Sequence, residues 1–83
     1  MIEKNTTPTV GKNVYYKARG SADGVFPKVD RAAVITDVRE VQYVKDGTVY
    51  LQVRLCVMNP EGLFFTDWIG QGQEGGQWDW MSL

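Results

Sequence analysis

The amino-acid sequence predicts an all-β protein, a small antiparallel SH3-like barrel or curled sheet of about five strands. Three observations carry this expectation. Short runs of alternating apolar and polar residues recur along the chain. Turns rich in glycine and proline separate them. No stretch of 10 or more residues shows a 3.6-residue apolar period with caps, so helix is scarce.

The elements follow in order. Residues 1–10, MIEKNTTPTV, are polar, with threonines around Pro8, and are expected to form a flexible arm; residues 11–83 then make one domain. NVYYKA, 13–18, alternates, with Val14, Tyr16 and Ala18 on one side and Tyr15 and Lys17 on the other, as in a strand. RGSADGVFPKVD, 19–30, reads as a long loop that Val25 and Phe26 pin to the body. RAAVITDV, 31–38, is β-branched and nearly continuous in apolar character, which suits a central strand. KDG, 45–47, lies between two alternating runs and marks a hairpin.

The next strand is the clearest. Val49, Leu51, Val53, Leu55 and Val57 point one way, and Tyr50, Gln52, Arg54, Cys56 and Met58 the other. A slip of one residue would expose the whole apolar set, so the register is firm. NPEG, 59–62, is turn chemistry, and LFFTDWI, 63–69, reads as a further strand. GQGQEGG, 70–76, is expected to be a flexible loop. Trp78 and Trp80 in QWDWM share one face of a closing strand, with Asp79 opposite. Each buried indole removes on the order of 200 Å² from water. These two residues are therefore expected to be structural, and their strand to close the barrel at an open edge.

Composition narrows function mostly by exclusion. A chain of 83 residues buries roughly 60–65% of its unfolded surface, so the core is small. With 43% hydrophobic residues it still has enough apolar surface to fold. A net charge of −1 gives no general pull toward nucleic acid or acidic membranes. The single cysteine, Cys56, allows no intrachain disulfide and suits a reducing, cytoplasmic home. No apolar leader opens the chain, and no run approaches the ~20 apolar residues that span a bilayer. The chain holds no histidine, which removes Ser-His-Asp and Cys-His pairs and most transition-metal sites. No phosphate-loop fingerprint and no paired carboxylates appear either. The expectation is a protein that is not an enzyme, with no cofactor and no metal site.

Two constellations remain. Lys12, Lys17, Arg19, Lys28 and Arg31 give the first half of the chain a positive bias, either a solvated face or a grip on phosphate or carboxylate. The aromatics exceed what one small core needs. Tyr15 and Tyr50 lie opposite the apolar faces, and Phe64 or Phe65 must point outward, toward a planar ligand or another copy of the chain. The candidate ligand residues are accordingly Arg19, Arg31, Tyr15, Phe65 and, from the glycine-rich loop, Gln73.

Taken together, RAAVITDV, LCVMNPEGLFF and GGQWDWM resemble segments of a group of small proteins encoded by tailed phages and prophages. That group has an Arg-Ala-Ala strand, an Asn-Pro-x-Gly turn followed by Phe-Phe, and a closing Trp-x-Trp. The likeness covers about residues 10–81; it departs at Asp79 and Met81, where the group often has His and Pro. The resemblance implies a phage protein acting in the cytoplasm of an infected host. The first reading is an oligomeric anti-defence protein that sequesters a nucleotide signal of host immunity: arginines hold phosphates, aromatics stack the base and the 70–76 loop closes. The second is a virion or connector part, and the third a nucleic-acid-binding module, which a pI of about 5.2 disfavours.

Overall fold

The alternating runs become strands because each buries one row of side chains and leaves the other to solvent. The computed structural model describes residues 7–20 and 29–81. Its strands are β1 (Asn13–Lys17), β2 (Asp30–Gln42), β3 (Val49–Asn59), β4 (Gly62–Phe65) and β5 (Trp78–Trp80). They form one antiparallel sheet in the order β4-β3-β2-β1-β5, with β2 central. The described residues contain no helix.

One face of this sheet makes the core. Val14, Ala33, Ile35, Val53, Leu55, Val57 and Trp78 are fully buried, and Tyr16, Val38, Ile69 and Trp80 pack against them. Register explains the set: Val14 pairs with Ala33, Ile35 with Leu55, and Val38 with Val53. Between Ile35 and Asp37 the ladder skips Thr36, whose hydroxyl donates to Arg54 O at 3.1 Å. This bulge shifts the inward positions from 33 and 35 to 38, and it lets β2 bend. It accounts for the nearly continuous apolar look of 31–38.

The sheet does not close through its strand ladders; it is curled, and an irregular segment crosses the gap. Thr66 N donates to Leu55 O at 3.0 Å, and Ile69 exchanges backbone bonds with Val53 at 2.9 and 3.0 Å. On the opposite edge Trp78 N donates to Gly70 O and Gly72 N to Trp78 O. Residues 66–72 therefore tie β3 to β5. The expectation that the last strand itself closes a barrel is corrected: β5 pairs with β1, and its other side meets only this segment.

The expected strand 63–69 is shorter for a local reason. At Thr66 the side-chain Oγ1 accepts the Leu55 N–H at 3.0 Å and donates to Asp67 O at 2.8 Å, so the ladder ends at Phe65. The five-residue apolar row of β3 is buried only at Val53, Leu55 and Val57; Val49 is exposed because the hairpin tip extends past the core. At that tip Tyr43 and Tyr50 lie ring to ring at 5.2 Å.

Residues 7–10 of the expected arm touch the body: Pro8 is buried and Lys12 Nζ donates to Thr7 O at 3.1 Å. The rest of the arm, and Val25 and Phe26 in the loop, lie outside the described residues.

Candidate functional site

Register sets what stands at the open end of the curled sheet. One step beyond the buried Val14–Ala33 pair on the same face, Tyr16 lies opposite Arg31. Across the sheet, β3 runs out at Asn59 and turns through Pro60 and Glu61 into β4. Tyr16, Arg19, Arg31 and the turn Asn59–Leu63 line a cleft of about 600 Å³. Phe64 meets Tyr16 at 5.9 Å between ring centroids and backs that wall.

Arg19 and Arg31 both line the cleft, and neither forms an ion pair with a carboxylate of the described residues. A guanidinium offers a rigid fork of donors that matches phosphate or carboxylate oxygens. Glu61 on the opposite rim adds an acceptor for hydroxyl or amine donors. Among the described residues no group of three or more His, Cys, Asp or Glu could hold a metal ion.

The other cations of the basic half are engaged. Lys17 pairs with Asp30 at 3.1 Å and lies 6.0 Å from the Tyr15 ring; Lys12 lies 5.5 Å from the Trp80 ring. Lys28 is outside the described residues.

The glycine-rich loop, expected to move as a lid, is tied down. Gly76 N donates to Lys17 O at 2.7 Å, Glu74 N to Gln77 Oε1 at 2.9 Å, and Gln77 N to Glu74 O at 3.1 Å. Gln71 Nε2 donates to Asp79 at 2.9 Å, and Gln73 Nε2 donates to the second Asp79 oxygen. These donors explain the acidity of Asp79. The Gln71 hydrogen bond is the largest influence holding its carboxyl below the usual value of 3.8, against a smaller upward push from burial; Trp80 N–H, Gln73 and Lys17 add to the lowering. Gly76, at φ +85°, sits under the Arg19 side chain, where an added Cβ would lie 2.6 Å from Nε. The loop is thus the bed on which Arg19 rests.

The five candidate ligand residues are only partly united. Arg19 and Arg31 share the cleft. Gln73 lines an adjoining hollow of about 480 Å³ that also includes Arg19. Tyr15 and Phe65 stand on the outer face, on β1 and β4 with two strands between them, and neither lines the cleft. The aromatic wall is Tyr16 instead. Its place on the apolar side of β1 reads as core in the sequence, and only the end of the neighbouring strands leaves it open.

A second outer-face cluster was not legible in advance. The Arg39 and Arg54 guanidinium carbons lie 4.5 and 5.3 Å from the Trp68 ring centre, and Arg39 donates twice to Gln52 Oε1 at 3.0 and 2.7 Å. The β2 bulge and the crossing segment bring these together, and neither has a sequence signature.

No protein-family model matches the chain, and no curated protein or solved structure is significantly similar to it.

Proposed function

We propose that this protein is a non-catalytic binding protein that captures a small phosphate-bearing ligand of the nucleotide class in the Arg19–Arg31 cleft. In line with the resemblance to phage proteins, its task is to withdraw a nucleotide signal of host immunity from the host cytoplasm. The observation that carries this reading is that Arg19 and Arg31, neither of them ion-paired with a carboxylate of the described residues, line one cleft beside Tyr16. The cleft volume of about 600 Å³ falls within the range of small-molecule sites. Arginine forks suit phosphates, and a tyrosine ring offers a face for a base.

The test is a thermal-shift panel of cyclic dinucleotides and ADP-ribose derivatives, followed by mass spectrometry of what heating releases. The expected result is stabilisation by at least one nucleotide, recovered intact. Arg31→Ala should weaken its binding by about 1.5–3 kcal/mol, the worth of a charge-assisted hydrogen bond. No shift with any nucleotide refutes the reading.

A second reading, a virion or connector part, is favoured by one observation: strand β4 leaves Leu63 and Phe65 largely bare. It predicts no nucleotide binding and the presence of the protein in purified particles. A nucleic-acid-binding module, the third reading, predicts salt-sensitive retention of DNA.

A further inference from the structure

Among the described residues, strand β4 is an edge with none of the usual protections. Natural edge strands are guarded by charged residues, proline, bulges or a covering segment. From Gly62 to Phe65 there is no charge, no proline and no irregularity of pairing, and among the described residues nothing pairs with its outer side. The ladder with β3 uses every second residue: Thr66 N bonds to Leu55 O, so Phe64 and Gly62 also face β3, while the backbone groups of Leu63 and Phe65 face away.

The side chains repeat the pattern. Leu63 is 64% exposed, Phe64 44%, Phe65 66%, and Met58, paired with Leu63, 45%. Leu63, Phe65 and Met58 share the outer face of the sheet, continued by half-buried Cys56 opposite Phe65. Side chains of this size offer about 150–250 Å² each, so the four expose on the order of 450 Å² of apolar surface per copy. Edge pairing covers only part of this surface, so the contact is small beside the roughly 800 Å² per partner of a standard stable interface, and its backbone hydrogen bonds carry much of it.

We infer that β4 is the dimerisation edge of this protein, pairing antiparallel with β4 of a second copy about a two-fold axis at Phe64. A second copy fits because the strand is its own complement. Leu63 and Phe65 exchange backbone hydrogen bonds with Phe65 and Leu63 of the other chain, Phe64 meets Phe64, and no charge lies within the paired strands. The five-stranded sheet becomes a continuous ten-stranded one, and the symmetric contact closes on itself, so association stops at two. A contact this small lies at the weak end of specific association. This inference does not depend on the nucleotide reading.

The experiment is sedimentation velocity on the full chain from about 1 to 200 μM, a range that brackets micromolar affinity. The expected result is a monomer–dimer equilibrium. Phe65→Lys and Leu63→Lys, both at exposed outer positions, should each weaken dimerisation by more than tenfold. Their circular dichroism and melting curves should match the parent at monomeric concentrations. A Phe64→Cys variant in a Cys56→Ser background should form an intermolecular disulfide under mild oxidation. A monomer throughout the range overturns the inference. So does a dimer whose strength neither lysine variant changes, or any higher oligomer.

Discussion

The indoles of Trp78 and Trp80 meet edge to face, with ring centres 5.0 Å apart and planes at 87°. The two residues flank Asp79 on one side of β5, so the strand's short ladder to β1 and the core are joined through a single aromatic pair. Trp78 is fully buried, whereas Trp80 is half-buried with Lys12 beside its ring.

The two tryptophans should therefore differ in weight. Trp78→Ala is expected to cost about 3–5 kcal/mol and Trp80→Ala about half of that, since part of its surface already faces water. Trp78→Phe should retain more than half of the Trp78 contribution, because it keeps a ring in place and removes an Nε1–H for which no described group is an acceptor. Urea denaturation of the three variants checks the order. Equal losses at both positions would contradict the packing.

Gly76 and Arg19 should be coupled. Gly76→Ala places a non-glycine residue at φ +85°, a backbone cost of about 1–2 kcal/mol, and sets its Cβ against the Arg19 guanidinium. In an Arg19→Ala background the backbone cost stays and the collision goes. A double-mutant cycle by chemical denaturation should then give a coupling of at least about 0.5 kcal/mol. A cost that is the same in both backgrounds would show that Arg19 does not rest on this loop.

Acid should loosen the loop. The Asp79 carboxyl, held below 3.8 chiefly by Gln71, is more acidic in the folded chain than in the unfolded one. Such a group contributes stability that is fully present above the unfolded value and is lost as pH falls through the folded value. The melting temperature of the parent should thus decline more steeply below about pH 4 than that of Asp79→Asn, which lacks this titration. Parallel pH profiles would remove Asp79 from the account.

How far the sequence speaks depends on whether a residue's environment is set locally. Alternation in 49–58, turn residues at 45–47 and 59–62, and the spacing of Trp78 and Trp80 are local properties, and they led to five strands, two hairpins and an inward-facing last strand. The nearness of the two arginines was partly legible in the same way, because Arg31 begins the expected strand 31–38 and Arg19 follows the expected strand 13–18.

What the chain pattern left open was decided by contacts between distant segments. Thr36 has no partner in the ladder, and that one bulge changes which side chains of β2 face Trp68 or the core. Thr66 ends β4 because its hydroxyl takes the Leu55 N–H, which leaves residues 66–72 free to cross from β3 to β5 and keeps the sheet from closing strand to strand. The glycine-rich loop looked mobile by composition, yet hydrogen bonds to Lys17 and Asp79 hold it. Tyr16, apolar-side by periodicity, became a cleft wall because the sheet ends beside it. Periodicity states which way a side chain points; only the neighbours that arrive from elsewhere in the chain determine whether that direction is core, cleft or open edge.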